Sequence, residues 1–384
     1  MTNPSHTMHE PDSKTHTVFA RAFSLARRQA ERLVENYPDF SPMYTKNGRW
    51  KHDSESWTHW CDGFFPGILW LLYMRDGDQW SRAMAERYSR PLRQRKNDRN
   101  VHDLGFIFLN TYRRWYQITG DDDLRQVIIE AGRTLAMRFQ EKGGYLCSFL
   151  GPESLFIDIM MNVPILLWTA RETGDERLRD LAISHCAVTA RYLVRDDGSC
   201  AHEGIFEPST GKFLHESTQQ GLRPASCWAR GLAWALYGFG TVYSYTREPA
   251  FLDVAERTAA FYLAHTPGGG IPFWDFDVGE DMASEKIFDS SAAAIAASGL
   301  LNLALLTEDH RRRDSYTMRA LETLEILASD DFSAEKRPEQ EGTLLHSVYH
   351  YHKGIGVDES VIWGDFFFVE ALYKVLANAT DVDV

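Results

Sequence analysis

Residues 158–194 read DIMMNVPILLWTARETGDERLRDLAISHCAVTARYLV, and this stretch decides the fold. Apolar residues recur at helical spacing on both sides of the segment Glu172-Thr-Gly-Asp-Glu176, for example at Leu178, Leu181 and Val188. A glycine readily ends a helix, and acidic residues favour the start of the next one. The stretch therefore predicts two helices joined by a tight turn.

The same arrangement recurs along the chain. Short polar turns also stand at Met74-Arg-Asp-Gly-Asp78, Ile118-Thr-Gly-Asp-Asp122, Tyr245-Thr-Arg-Glu-Pro249 and Leu306-Thr-Glu-Asp-His310. With the apolar periodicity they predict twelve helices, at 17–36, 64–75, 79–92, 104–118, 122–140, 158–172, 176–194, 227–245, 249–264, 290–306, 311–328 and 360–377. Twelve helices make six pairs, and short connections alternate with long ones.

A closed ring of six helical hairpins satisfies this pattern without leaving a repeat exposed at an edge. We therefore predict an all-α fold, an (α/α)6 barrel or six-hairpin toroid, with tight turns at one end and elaborated loops at the other. A single barrel domain is expected over residues 17–384. The polar stretch at residues 1–16, which contains Pro4 and Pro11, is predicted to be a disordered N-terminal tail.

Composition and charge exclude several classes of function. The 384 residues carry a formal net charge of -13, which would repel a phosphate backbone, so we predict no nucleic-acid partner. No segment is apolar for long enough to span a bilayer, and the first residues lack the apolar core of a signal peptide, so we predict no membrane association. The five cysteines show no CxxC spacing, and their odd number is typical of a reducing compartment. We predict a cytoplasmic protein.

Residues with distinctive chemistry fall before or at the start of the first helix of a pair. They are Trp60, His102, Asp103, Asp158, His202, Gln220, Arg230, Trp234 and Asp289. In the predicted barrel, all of these positions lie at the same rim. Helix N-termini at that rim favour an anionic ligand such as a carboxylate.

Two aspartates are the candidates for acid and base chemistry. Asp103 follows His102, and Asp158 stands in the apolar run Leu155-Phe-Ile-Asp-Ile-Met-Met161. An ionised carboxylate is costly in apolar surroundings, so we expect a raised pKa for Asp158, which would make it a proton donor. The alternative for each residue is a helix N-cap, in which the carboxylate binds free backbone amides.

The aromatic and cationic candidates have structural alternatives too. Trp60 and Trp234 could stack on a sugar ring or simply pack in the core. Arg230 could bind a carboxylate with two parallel hydrogen bonds or form a structural salt bridge. Asp289 precedes an alanine-rich run and is interpreted chiefly as a helix cap.

Metal and cofactor motifs do not accompany these residues. His346, His350 and His352 are close in sequence, but HExxH is absent and no cysteine lies nearby. The chain also lacks GxGxxG, P-loop and GxSxG signatures. We predict that the protein uses no metal and no organic cofactor.

Several motifs, in this order, resemble the unsaturated glucuronyl hydrolases of glycoside hydrolase family 88. They are Trp60-x-x-Gly-Phe-x-x-Gly-Ile-Leu-Trp70, His102-Asp-x-Gly-Phe106, Asp158-x-x-x-Asn162, Thr218-x-Gln-Gly221, Trp228-x-Arg-Gly-x-Ala-Trp234, Trp274-Asp-Phe276, Asp289-Ser-Ser and Ile362-Trp-Gly-Asp365. The likeness extends from about residue 20 to the C-terminus. It implies an (α/α)6 barrel that removes a 4,5-unsaturated uronic acid from the non-reducing end of oligosaccharides produced by polysaccharide lyases.

The resemblance also implies roles for individual residues. Asp158 matches the general acid/base of the family, and Asp103 matches its second essential carboxylate. Positions that match substrate-binding residues of the family are Trp60, His102, His202, Gln220, Arg230 and Trp234. The expected substrate is an oligosaccharide that contains an unsaturated uronic acid.

This sequence departs from the family pattern at three positions. Leu150 stands where an aromatic residue is expected, Gln219 replaces a histidine, and Leu232 replaces a glutamine. The glycan and its linkage therefore stay open. The alternatives are an unsaturated rhamnogalacturonyl hydrolase acting on pectin fragments, a sugar 2-epimerase on the same barrel, and a non-catalytic sugar-binding toroid.

Overall fold

The structure, a computed structural model, describes residues 11–52, 56–266, 270–279, 282, 286–379 and 382, and excludes the side chains of residues 56–58. Its α-helices are α1 Ser13–Asn36, α2 Phe64–Asp76, α3 Gln79–Ser89, α4 Leu104–Phe108, α5 Arg114–Thr119, α6 Asp122–Ala136, α7 Pro164–Thr173, α8 Glu176–Tyr192, α9 Ala229–Thr246, α10 Pro249–His265, α11 Ser290–Leu306, α12 His310–Leu327 and α13 Ile362–Leu376. A π-helical turn at Leu109–Arg113 joins α4 to α5, so the two form one path.

These helices form two concentric rings. The inner ring consists of α2, the α4–α5 path, α7, α9, α11 and α13, each packed against the next, and α13 packs on α2 to close the ring. Outside them, α3, α6, α8, α10 and α12 each return along the inner helix that precedes them in the chain. The last inner helix, α13, packs against the first helix, α1, which completes the sixth hairpin. The predicted (α/α)6 barrel is confirmed.

Glycine and aspartate build the tight turns at one end of the barrel. Gly77, Gly120 and Gly174 end α2, α5 and α7 with φ angles of 68°, 68° and 71°, in the left-handed region that glycine adopts without strain. Asp78 and Asp121 then cap the outer helices α3 and α6, each accepting a hydrogen bond from a backbone amide of the first turn. These local preferences explain why the turns could be recognised in the sequence.

Short antiparallel strands occupy the long connections at the other end. They are β1 Tyr44–Lys46, β2 Arg49–Lys51, β3 Phe139–Gln140, β4 Tyr145–Leu146, β5 Ser154–Phe156, β6 Glu203–Glu207, β7 Lys212–Ser217, β8 Ser347–His350 and β9 Ile355–Glu359. Strands β5, β6 and β7 form a three-stranded sheet, and β8 pairs with β9. Both groups contribute side chains to a pocket at this rim.

The N-terminal boundary differs from the prediction. Helix α1 begins at Ser13, inside the stretch predicted to be a disordered tail, because Asp12 accepts a hydrogen bond from the backbone amide of Thr15 at 2.8 Å and caps the helix. The rest of that prediction, at residues 1–10, lies outside the described residues.

One outer helix and one inner helix also differ from their predicted ranges. The predicted helix 122–140 ends at Ala136, and the next residues turn into β3. The predicted helix 158–172 begins as a 3-10 helix at Ile157–Met161 and becomes α-helical only at Pro164, which suits a first turn because proline has no N–H to donate.

Within the part of the chain that the structure describes, every helix is too short or too polar to cross a membrane.

Candidate active site

A pocket opens at the rim that carries the long connections. It holds about 780 Å³ of space between atoms, including its open mouth. Its walls are Trp60, His102, Asp103, Phe149, Leu150, Phe156, Asp158, Gln219, Gln220, Arg230, Tyr349, His350 and Lys353. Six of the eight residues predicted from the sequence are among them.

Asp103 lies at the N-terminus of α4 but does not cap it. Its side chain makes no hydrogen bond to the first turn, whereas the Oδ1 atom of Asn162 accepts one from the backbone amide of Phe106 at 2.8 Å. The helix-cap alternative for Asp103 is therefore wrong. Burial, reinforced by the nearby Asp158 carboxylate, raises the pKa of Asp103 to about 8.

Asp158 lies opposite, on the 3-10 helix that precedes α7. Its side chain is 15% exposed, and its Oδ2 atom has no hydrogen-bond partner within the described part of the chain. Burial raises the pKa of Asp158 to about 6, while the positive charge of Arg230 and the indole N–H of Trp234 act in the opposite direction. The expected direction of this shift agrees with the structure, but Asp103 has the higher pKa of the pair.

A neutral histidine faces each carboxyl group. The Nδ1 atom of His202 accepts hydrogen bonds from the backbone amides of Gln219 and Gln220, at 3.2 and 3.3 Å. A ring nitrogen that accepts has no hydrogen, so the proton of neutral His202 resides on Nε2, which lies 3.6 Å from Oδ2 of Asp158. Burial lowers the pKa of His202 to about 3, which keeps the ring neutral.

His102 repeats this arrangement at the other carboxyl group. Its Nδ1 atom accepts from the backbone amide of Phe149 at 3.1 Å, and its Nε2 atom lies 3.4 Å from Oδ1 of Asp103. Burial holds the pKa of His102 well below its usual value. The ring of Phe156 lies between the two histidines, with centroids 5.7 Å from His102 and 4.8 Å from His202.

Arg230 is largely occupied by the protein itself. One of its terminal nitrogens binds the carboxylate of Asp289 at 3.2 Å and the carbonyl of Val348, and the other binds the carbonyl of Tyr349 at 2.8 Å and Oε1 of Gln220 at 2.6 Å. The structural salt bridge considered for Arg230 is thus present, although the guanidinium also reaches the pocket wall. Asp289 caps α11 as predicted.

The two predicted residues that do not line the pocket, His202 and Trp234, lie behind its wall. Trp60 lines the pocket and packs on Trp363, with centroids 4.7 Å apart. Trp234, by contrast, is 0% exposed and packs between Phe106 and Phe367. A sugar-stacking role for Trp234 does not fit this placement, because no face of its ring is open to the pocket. His202 is also buried, and its Nε2 atom lies 3.6 Å from Oδ2 of Asp158.

Sequence reasoning missed several lining residues. Phe149 is 37% exposed at the mouth and stacks on His102 at 5.7 Å. Tyr349, His350 and Lys353 come from the β8–β9 hairpin and its turn. The histidines near residue 350 are a sequence signal that could have indicated this part of the wall, but their spacing was interpreted only in terms of metal binding.

That cluster does not converge on one point. His346 pairs with Asp358 at 2.6 Å, and His352 binds the carbonyl of Gly221 at 2.7 Å. His350 lines the pocket instead. The three rings therefore serve three separate contacts.

Comparisons with known proteins agree with this architecture. The model of Glycosyl Hydrolase Family 88 matches residues 26–266. The unsaturated glucuronyl hydrolase of Bacillus sp. strain GL1 is 32% identical over 370 residues, which cover 94% of this chain and 96% of that protein. A solved unsaturated glucuronyl hydrolase specific for heparin has a TM-score of 0.88 at 31% identity, covering 94% of this chain and 97% of that chain.

One of at least two solved neighbours with a bound sugar comes from a streptococcus. It is a variant of the unsaturated glucuronyl hydrolase of Streptococcus agalactiae complexed with dGlcA-GalNAc6S, with a TM-score of 0.81 at 28% identity and 98% coverage of both chains. A glycoside hydrolase is the class of enzyme that fold, pocket and relatives together define, since such enzymes act through carboxyl groups held at a sugar site. The chain belongs to glycosyl hydrolase family 88.

Proposed function

We propose that this enzyme removes a 4,5-unsaturated uronic acid from the non-reducing end of oligosaccharides produced by polysaccharide lyases. The observation that carries the proposal is the buried pair of Asp103 and Asp158, whose pKa values of about 8 and about 6 bracket neutrality. Such a pair shares one proton near pH 7, as acid and base chemistry at one site requires. The named activities of the relatives support the same reaction.

The substrate dictates an unusual hydrolysis. An unsaturated uronate is a vinyl ether, so a proton added at C4 leaves a cation at C5 that the ring oxygen stabilises. Water then adds at C5, losing a proton to a base, and gives a hemiketal that opens and expels the remaining sugar. The steps need one proton donor and one proton acceptor, and they need no metal or organic cofactor.

Asp158 is proposed as the group that gives the proton and, once ionised, activates water. The Nε2–H of His202 faces it and steadies the carboxylate between these two steps. Asp103, whose pKa is raised by the neighbouring charge of Asp158, is proposed to share one proton with Asp158 and, once that proton has left it, to stabilise positive charge on the sugar.

Other residues are proposed to hold the sugar. Trp60 offers a ring face at the wall of the pocket, and His102 lies near the acid pair. The Oε1 atom of Gln220 accepts from Arg230 at 2.6 Å, so the Gln220 amide N–H groups are left to bind a carboxylate oxygen. Arg230 supplies the positive field that attracts the uronate.

The alternatives fit less well. In a sugar 2-epimerase, histidines would carry protons, whereas here the Nδ1 atoms of His102 and His202 accept from backbone amides and burial lowers the pKa of both rings. A non-catalytic sugar-binding toroid would have no need of two buried acids with raised pKa values. An unsaturated rhamnogalacturonyl hydrolase would use the same chemistry on pectin fragments.

We also propose a cytoplasmic location. Cys147, Cys186, Cys200 and Cys227 all lie in the described part of the chain and form no disulfide. Thiols that are kept reduced are typical of the cytoplasm.

The direct test incubates the protein with unsaturated disaccharides made by lyases from several polysaccharides. Loss of the ultraviolet absorbance of the enoate is expected for at least one glycosaminoglycan disaccharide, and Asp158→Asn protein is the matched control. Activity on pectin disaccharides alone would favour the rhamnogalacturonyl alternative. Binding without loss of absorbance would favour the sugar-binding toroid.

A further inference from the structure

The mouth of the pocket differs in character from its base. Asp103 and His102 at the base are 6% and 3% exposed, whereas Leu150 at the mouth is 46% exposed and Gln219 is likewise exposed. If the unsaturated uronate lies against the acid pair, as the proposed function requires, the sugar that leaves lies at the mouth. Gln219 is a polar side chain at the mouth, and a hydrogen bond to the protein fixes its orientation.

A buried glutamate holds the Gln219 side chain. Glu203, at the start of β6, is 1% exposed, and its Oε2 atom accepts a hydrogen bond from Nε2 of Gln219 at 3.0 Å. Its other oxygen, Oε1, accepts from the hydroxyl of Ser154 at 2.5 Å. Both oxygens of Glu203 thus act as acceptors, which is the pattern of an ionised carboxylate.

The hydrogen bonds around Ser154 show which group donates and which accepts in each contact. The hydroxyl of Ser154 accepts from the hydroxyl of Ser148 at 2.7 Å, and Ser148 in turn accepts from the backbone amide of Leu150 at 3.2 Å. Because each hydroxyl has one hydrogen, every donor in this series points towards Glu203. The same series links the Leu150 side of the mouth to the Gln219 side.

A carboxylate can only accept, so the amide nitrogen of Gln219 has to face Glu203 and its amide oxygen has to face away. We propose that Glu203 is a positioning residue, which fixes Gln219 so that its amide oxygen accepts a hydrogen bond from a hydroxyl group of the leaving sugar. The proposal rests on the proposed function, since it assigns the mouth to that sugar. A sulfate ester at the same carbon has no hydrogen to donate and meets an acceptor with a negative charge behind it, so it binds poorly.

The experiment compares unsaturated disaccharides that differ at one carbon of the leaving sugar, which carries either a hydroxyl or a sulfate. For wild type, kcat/KM is expected to favour the hydroxyl form by about tenfold at one such carbon, the effect of one hydrogen bond and one repulsion. In Glu203→Gln, the side-chain amide of Gln219 is free to rotate by about 180°. The preference for the hydroxyl form therefore falls to about twofold or less, and the change is in KM. Ser154→Ala weakens the same series and shifts the preference in the same direction by less.

Controls separate positioning from general damage. Glu207→Gln, on the same strand but exposed, should leave the preference as in wild type. Gln219→Leu should abolish the preference, and adding Glu203→Gln to it should change nothing more, because Glu203 acts through Gln219. An equal loss of kcat/KM on both sugars in Glu203→Gln would show a structural role only. A full preference in Glu203→Gln, or a further change in the double variant, would overturn the proposal.

The same comparison distinguishes failure of the proposed reaction. Affinities of the two disaccharides for Asp158→Asn protein, with and without Glu203→Gln, are measured by calorimetry. If wild type turns over neither disaccharide while these affinities change as stated, the reaction is wrong and the positioning role stands. If turnover occurs but the affinity ratio is the same with and without Glu203→Gln, the positioning role is wrong and the reaction stands.

Discussion

The side-chain oxygen of Asn162 accepts the backbone N–H of Phe106 at 2.8 Å, and it thereby caps the helix at whose start Asp103 stands. Asn162 and Asp103, which are far apart in sequence, thus have separate roles at this helix end. Asn162 satisfies the helix, and the carboxyl group of Asp103 stays available to the pocket.

Removing the cap is the first test of this division. In Asn162→Ala, the free amide of Phe106 attracts the Asp103 carboxylate, which lowers the pKa of Asp103 and withdraws it from the pocket. We expect the free energy of unfolding to fall by about 1 kcal/mol and turnover to fall at least about tenfold. Asn110→Ala is the matched control, because Asn110 binds the carbonyl of Phe106 rather than its amide. Equal turnover in the two variants would contradict this account of Asn162.

The pH dependence of activity follows from the acid pair. The active form carries one proton, so kcat/KM should rise through about pH 6, the pKa of Asp158, and fall through about pH 8, the pKa of Asp103. Asp103→Asn should move the alkaline limb of whatever activity is left down to about pH 6, because Asp158 alone then has to carry the proton. A profile that stays flat to pH 9 in wild type would show that the pair does not share a proton.

Stability should depend on pH through the same residue. The pKa of Asp103 is raised to about 8 in the folded protein, so the folded state binds this proton more tightly than the unfolded chain does. The stability that this proton contributes is complete below about pH 4 and is lost as pH rises through about 8. Asp103→Asn stays neutral throughout, so its Tm relative to wild type should be higher at pH 9 than at pH 5. Thermal denaturation at the two pH values checks this, and an unchanged difference would contradict it.

Much of this fold could be predicted from the sequence because it depends on local signals. Glycine and aspartate at the tight turns and the apolar periodicity beside them were enough to predict six hairpins. Chain positions that adjoin inner helices, such as Asp103 and Asp158, were also correctly placed at one rim.

What the sequence did not reveal depends on contacts between distant segments. Trp234 has the pattern of a sugar-stacking residue, yet Phe106 and Phe367 close over it. The π-helical turn at Leu109–Arg113 and the strands in the long connections have no comparable local signal. The higher pKa of Asp103 likewise reflects burial and the charge of Asp158, which only the folded chain brings together.

Specificity for the leaving sugar should change at Leu150. This side chain is 46% exposed at the mouth and offers less flat area than an indole ring. We predict that, among unsulfated disaccharides, wild type prefers a leaving sugar other than the amino sugar of chondroitin or hyaluronan, and that Leu150→Trp shifts catalytic efficiency towards that amino sugar. The neighbouring Phe149 is aromatic and exposed too, so the gain should be modest, at about three- to tenfold. Efficiencies on disaccharides that differ only in the leaving sugar provide the measurement. A clear wild-type preference for these amino sugars over other unsulfated leaving sugars, unaffected by the substitution, would contradict it.

Loss of the acid itself should separate binding from chemistry. Asp158→Asn removes a positioned proton donor with little change in volume, so turnover should fall by several orders of magnitude while substrate affinity stays within about threefold of wild type. Single-turnover rates and calorimetry measure the two quantities. Turnover close to that of wild type would remove Asp158 from the mechanism.

The central claim is that the enzyme hydrates a vinyl ether instead of attacking an anomeric carbon, and isotopic labelling tests it most directly. Reaction in deuterated water enriched in heavy oxygen is followed by mass spectrometry and carbon NMR of the released keto acid. The account predicts deuterium at C4 and heavy oxygen at C5. Heavy oxygen at the anomeric carbon, with C4 unlabelled, would contradict it.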